Sequence, residues 1–189
     1  MNIPNSRPKA SLERIVKAIQ ATIPRVAFGE TIVVGVRGYY LDTMGVKGKN
    51  DRGIYDDAIF IVNPSHFSSY NANTDPSAFR KGIATLAKGL HRYRPGNHGI
   101  SRPGGGYPAF RPATKNEERP VTRDGIASPE PGIAINIHKG GYGTTSSLGC
   151  QTIYPSQWGE FQTQLMKQLK AYGQKEFWYL LIDESDLPA

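Results

Sequence analysis

Residues 133–153 run Ile133-Ala134-Ile135-Asn136-Ile137-His138, then Lys139-Gly140-Gly141-Tyr142-Gly143-Thr144-Thr145-Ser146, then Ser147-Leu148-Gly149-Cys150-Gln151-Thr152-Ile153. The β-branched residues of the first run predict a strand over Ile133–Ile137 that delivers His138 at its end, where a side chain can point into a cleft. The middle segment is nearly all small and polar. It can fold back and bring Cys150, the chain's only cysteine, near an imidazole twelve residues upstream.

A free thiol is only a few per cent ionised at neutral pH, and an imidazole that takes its proton converts it to an attacking thiolate. Cys150 is therefore the candidate nucleophile and His138 the candidate base. Gly149 permits a sharp turn before the nucleophile and lets peptide N–H groups face a developing oxyanion. Ser147 has a hydroxyl available to the loop or to the second imidazole nitrogen. The plainer reading of Cys150 is a small apolar residue on its way into the core.

Working outward, Trp158, Phe161, Leu165, Leu169 and Tyr172 form an apolar helical stripe starting near Ser156 and closed by Gly173, followed by a terminal strand Phe177–Ile182. Leu12, Ile15, Val16 and Ile19 recur at helical spacing after Ser11, a candidate N-cap, and Pro24 ends the pattern. Thr31–Val36 and Asp57–Val62 read as buried strands, with Ile83–Ala87 and Leu90–Arg94 as two more around a Lys88-Gly89 turn. Residues 63–80 are turn-forming throughout and predict a loop bordering the site. Pro95 to Pro131 is proline-rich and predicts a long irregular stretch. Asp183-Glu184-Ser185-Asp186 predicts a solvated tail.

At 189 residues the chain suits one domain, with 21 Gly and 14 Pro favouring a β-rich α+β fold over a helical bundle. The expected layout is an N-terminal helical segment at 1–29, a β-rich core at 30–160, and a helix with a terminal strand at 161–189. A net charge of +7 favours a polyanionic partner, but the basic residues are scattered without a reading helix, finger or stacking motif, which argues against a dedicated nucleic-acid function. No apolar run reaches the length of a secretory signal or a membrane span, so a protein made in the cytoplasm is expected. His66, His91, His98 and His138 lack zinc-site spacing, so a metal site is not expected.

From His138 through Thr152 the sequence resembles the L,D-transpeptidase catalytic family, whose signature is a histidine, a glycine-rich loop and Ser-x-Gly-Cys. The resemblance is specific over about twenty residues and pattern-level over 30–160. The family pattern assigns His138 as base, Ser147 and Gly149 as loop and oxyanion elements, and Cys150 as nucleophile. It implies a β-sandwich without metal or organic cofactor, and a thiolate attack on an L,D-configured stem-peptide bond of peptidoglycan, giving a thioester resolved by water or an amine. Two departures stand out: Thr152 where arginine or asparagine is common, and Leu148 where a histidine stands between Ser and Gly. The loop from His138 to Cys150 is also shorter than usual.

The chain also looks like small phage-encoded proteins that carry this module as lysis enzymes. The expectation is a peptidoglycan hydrolase, an endolysin or antibacterial effector that acts in the periplasm or wall after release or delivery. Tyr107, Arg94, His98, Tyr142 and Thr152 are the candidate substrate-binding residues, with Phe110 and Arg102 as further groove residues; each is as well explained by packing or solvation. Three rivals stand beside this reading. They are a transpeptidase with an amine acceptor, a muramidase using paired carboxylates among Asp56, Asp57, Asp75 and Asp124, and a non-catalytic envelope-binding or phage structural protein.

Overall fold

The computed structural model describes residues 3–23 and 29–188. In chain order it contains α1 (Leu12–Thr22), β1 (Ile32–Arg37), β2 (Asp57–Asn63), β3 (His66–Asn73), β4 (Ala84–Leu86), β5 (Gly89–His98), β6 (Tyr107–Pro112), β7 (Glu118–Arg119), β8 (Val121–Arg123), β9 (Gly132–Ile133), β10 (Ile137–Lys139), β11 (Gln151–Ile153), α2 (Pro155–Ala171) and β12 (Phe177–Asp183). The domain is mixed α+β and mostly sheet, with two helices. Eight strands close on themselves in the order β1-β12-β5-β6-β10-β11-β3-β2, and two short pairs, β4-β8 and β7-β9, stand outside. The sheet is thus one closed surface, where two facing layers of a sandwich were expected.

The central strands β1, β2 and β12 are buried on both faces, which explains their nearly unbroken apolar runs. Val33, Ile59, Ile61, Tyr179 and Leu181 point inward and pack with Trp158, Phe161, Leu165 and Leu169 of α2. Their alternating neighbours Ile32, Val34, Phe60, Val62 and Leu180 point outward, under Ile15, Ala18 and Ile19 of α1. Each such fully buried side chain contributes about 1.5–3 kcal/mol, so a one-residue slip of any central strand would forfeit both cores. Gly35 is the exception in β1 because the Tyr179 ring occupies its place: a Cβ there would lie 2.1 Å from the phenol oxygen. That phenol reaches Gln151, the neighbour of Cys150, at 3.0 Å.

Both helices are bounded as their end residues dictate. Ser11 accepts a bond from the Arg14 N–H at 3.2 Å, while Pro24 lies outside the described residues. Pro155 opens α2 one residue before the expected start, and Gly173, at φ +65°, closes it. The Gln174 N–H bonds the Leu169 carbonyl at 2.8 Å and the Gly173 N–H that of Lys170 at 3.2 Å, so the last turn's carbonyls are satisfied.

Four local expectations need correction. Residues 66–73 form β3, not a loop: Pro64 and Ser65 make a tight hairpin, and ladders to β2 and β11 impose an extended form on a polar segment. The stretch from Pro95 is irregular only in part, because β5 runs to His98 and pairs with β6 before the chain loosens again. Its prolines are tolerated where β5 has outrun β12 and where β6 meets β10 only at Phe110–Ile137. Ile133–Ile137 is broken rather than continuous, because Ala134 adopts φ +53°. Asp183–Asp186 is a capped 3-10 turn held by Lys88 at 2.8 and 2.9 Å, not a free tail.

Candidate active site

β10 and β11 run parallel, with Ile137 opposite Gln151 and His138 opposite Thr152. Residues 140–150 supply the crossover that a parallel pair requires. This register sets Cys150 level with Asn136, whose carbonyl accepts the Gln151 N–H at 2.8 Å. The left-handed turn at Ala134 then aims two backbone groups at the sulfur. The Asn136 N–H donates to Sγ at 3.4 Å, and the thiol donates to the Ala134 carbonyl at 3.7 Å.

His138 Nδ1 lies 2.8 Å from the Lys139 carbonyl and 3.0 Å from the Tyr107 hydroxyl. A carbonyl can only accept, so Nδ1 carries the proton and Nε2 keeps its lone pair for a base's role. The ring of His98 stacks on that of His138, with centroids 4.0 Å apart. Asn136 Nδ2 fixes His98 by donating to its Nδ1 at 3.0 Å. One ring nitrogen from each histidine and the Cys150 sulfur lie within 4.8 Å of one another.

The turn before the nucleophile is held from within. The Ser147 hydroxyl accepts the Gly149 N–H at 3.0 Å and donates to the Cys150 carbonyl at 2.7 Å. Ser77 clamps the same turn from outside, its hydroxyl accepting the Ser147 N–H at 2.8 Å while its own N–H reaches the Ser147 carbonyl at 2.9 Å. Gly149 is therefore a turn residue whose N–H is already engaged, which corrects its expected oxyanion role. The Cys150 N–H has no acceptor among the described residues and is the donor left for an oxyanion. Gly149 sits at φ +126°, and a Cβ there would lie 2.5 Å from the Ala84 carbonyl oxygen. Gly149→Ala is accordingly expected to cost about 2–4 kcal/mol in a denaturant titration through strain and overpacking.

Burial dominates the electrostatics. It pushes the Cys150 thiol up to about 11, against a lowering by the Asn136 N–H and Arg111. Burial, then the neighbouring His98, brings His138 down to about 4. The resting pair is therefore a neutral thiol beside a neutral imidazole. Alkylation of Cys150 by iodoacetamide is expected to quicken about tenfold per pH unit toward the thiol's value near 11. A plateau between pH 5 and 8 would instead reveal a preformed ion pair.

Of the expected site residues, the fold brings together Cys150, His138, Ser147, Gly149, Tyr107 and His98. Three others are not offered to a substrate there. Thr152 is fully buried, Arg94 is paired with Glu117 at 3.3 Å, and Tyr142 packs edge-to-face on Tyr154. Cys150 is 9% exposed and His138 2%, while Leu148, two residues before the sulfur in the chain, is 68% exposed. Surface cavities of about 440–570 Å³ lie elsewhere on the domain, lined by other residues.

Ala134 and Asn136 went unnoticed in the sequence as site residues. The one available signal was a polar Asn136 in an otherwise apolar run. The two imidazoles and the Cys150 sulfur, supplied by three separate elements, also stand close enough to offer three ligand atoms to a soft cation such as zinc, a grouping that spacing in the sequence does not reveal.

The carboxylates of the muramidase alternative are engaged in holding the structure. Asp57 accepts bonds from the Gly38 N–H and from the Thr74 N–H and hydroxyl. Asp75 pairs with Arg37 at 3.2 Å, and Asp124 receives both Arg52 nitrogens at 2.6 and 2.9 Å. Asp56 is fully buried and caps the Asp51 N–H at 3.0 Å, with burial pushing its pKa upward.

No protein-family model matches this chain, and comparison with curated proteins and with solved structures gives no match to either. No helix among the described residues is long and apolar enough to cross a membrane.

Proposed function

We propose that this protein is a cysteine-dependent peptidoglycan enzyme that hydrolyses an L,D-configured stem-peptide bond through a Cys150 thioester. The observation that carries the reading is the convergence of the sulfur with two imidazole nitrogens within 4.8 Å, one of them on a ring whose tautomer leaves Nε2 free. Supporting it are the basic charge, which favours an anionic wall, and the structural engagement of the rival carboxylates. The setting is that of a phage lysis enzyme or an antibacterial effector.

The chemistry follows from the neutral resting pair. The Cys150 S–H gives up its hydrogen bond to the Ala134 carbonyl, and its proton passes from sulfur to His138 Nε2 as sulfur attacks the substrate carbonyl carbon. The oxygen takes up the negative charge beside the Cys150 N–H. As the C–N bond breaks, His138 returns the proton to the departing amine, leaving a thioester. His138 then takes a proton from water as the water oxygen adds to the thioester carbon, and it returns that proton to the sulfur as the C–S bond breaks, releasing the carboxylic acid product.

Incubation with purified peptidoglycan and mass analysis of the fragments tests this reading. Cleaved stems on intact glycan are expected. New reducing ends would overturn it in favour of glycoside hydrolysis, and cross-linked products formed with an added amine would make the second step a transfer.

A further inference from the structure

The hairpin that joins β5 to β6 carries His98 at one end and Tyr107 at the other, both in contact with His138. Its connection, Gly99-Ile100-Ser101-Arg102-Pro103-Gly104-Gly105-Gly106, is tightly folded: the Arg102 N–H bonds the Gly99 carbonyl at 2.9 Å, and the Gly105 N–H bonds the Arg102 carbonyl at 3.0 Å. Gly106 must be glycine, since it has φ +77° and a Cβ would lie 1.9 Å from the His98 carbonyl oxygen. These turns fold the Arg102 side chain back over Gly99, where its Cδ and Nε would stand 3.0 and 3.1 Å from a Cβ.

The other arginines around the site are occupied. Arg111 holds Glu117 and the Asn97 carbonyl, and Arg94 also pairs with Glu117. Arg119 donates to the Arg92 and Glu118 carbonyls, and Arg123 to the Gly82 carbonyl. Arg102 is exposed and makes no ion pair or side-chain hydrogen bond among the described residues. An exposed guanidinium folded against Gly99, next to His98 on the hairpin whose two ends touch His138, with its fork of donors unused, matches a planar anion.

We infer that Arg102 is the anion-recognising residue of this site and pairs with a free carboxylate next to the scissile bond, so that carboxylate-bearing peptides are preferred to their amidated forms. This specificity rests on the peptidase reading above. It assigns Arg102 to substrate recognition, while bond breaking stays with Cys150 and His138.

The test compares wild type, Arg102→Gln and Arg102→Lys on one stem peptide prepared as the free acid and as the amide. Wild type is expected to prefer the free acid by about 10–100-fold in kcat/KM, mostly through KM, in keeping with one charge-assisted contact. Arg102→Gln is expected to collapse that ratio toward one, and Arg102→Lys to recover part of it. An unchanged ratio in Arg102→Gln would overturn the inference. Calorimetric titration of both peptides into Cys150→Ser separates failure of this idea from failure of the peptidase reading. If no peptide is cleaved, a free-acid binding preference that disappears in Cys150→Ser with Arg102→Gln sustains the anion site, and equal binding of acid and amide refutes it.

Discussion

Cys150→Ser is expected to leave a folded protein whose stem-peptide cleavage has fallen by about 10³-fold or more, the scale seen when a catalytic nucleophile is removed. Serine keeps one donor and one acceptor where the sulfur meets the Ala134 carbonyl and the Asn136 N–H. The fold should therefore survive better than in Cys150→Ala, which would strand that N–H at a cost of about 1–3 kcal/mol. The hydroxyl is a poor replacement because it holds its proton far more tightly than a thiol, and an imidazole brought down to about 4 is a weak base for removing it. Circular dichroism and a denaturant midpoint check the fold, and fragment release from peptidoglycan checks the activity. Full activity in Cys150→Ser would refute the thiol mechanism. The carboxylate rival makes the opposite prediction. Substitution of Asp57 should act on stability first, because three hydrogen bonds from Gly38 and Thr74 converge on its buried carboxylate.

Much of the architecture was legible because it follows from burial. β1, β2 and β12 show in the sequence as apolar runs since both their faces are covered, and the stripe of α2 shows since one face is. β3 stayed hidden because its residues, among them Ser68, Ser69, Asn71 and Asn73, have little preference for strands and gain extended form only from ladders on both sides. The closure of the sheet was hidden for the same reason, as it depends on pairings such as Ile137 with Phe110 across long sequence separations. At the site, the nucleophile, the base and the turn around Gly149 were readable from local residue types. Ala134 and Asn136 were not, because they act through backbone groups aimed by a left-handed turn that alanine does not advertise. The stacking of His98 on His138 was equally invisible, being set by a hairpin remote from the cysteine in the chain.

His138→Gln, which retains much of the ring's volume at a buried position, is expected to slow cleavage at pH 7 by about 10²–10⁴-fold and to change the shape of the pH profile. In wild type, His138 is neutral above its lowered value of about 4 and able to accept the thiol proton; below it the ring is protonated and the rate falls. The upper limit is the thiol near 11, so activity should hold across the interval between the two. The glutamine variant has no such base. Its thiolate must be generated by solvent, so the lower limb should vanish and the rate should climb with pH toward the thiol's own value, narrowing the gap to wild type as conditions become alkaline. A variant whose profile stays parallel to wild type would deny His138 the role of base. His98 can blur this result, because its ring lies against His138 and it too has a nitrogen within 4.8 Å of the sulfur. A mild loss in His138→Gln that becomes severe when His98→Ala is added would move the proton transfer to the stacked partner, and His138 would then be the ring that positions it.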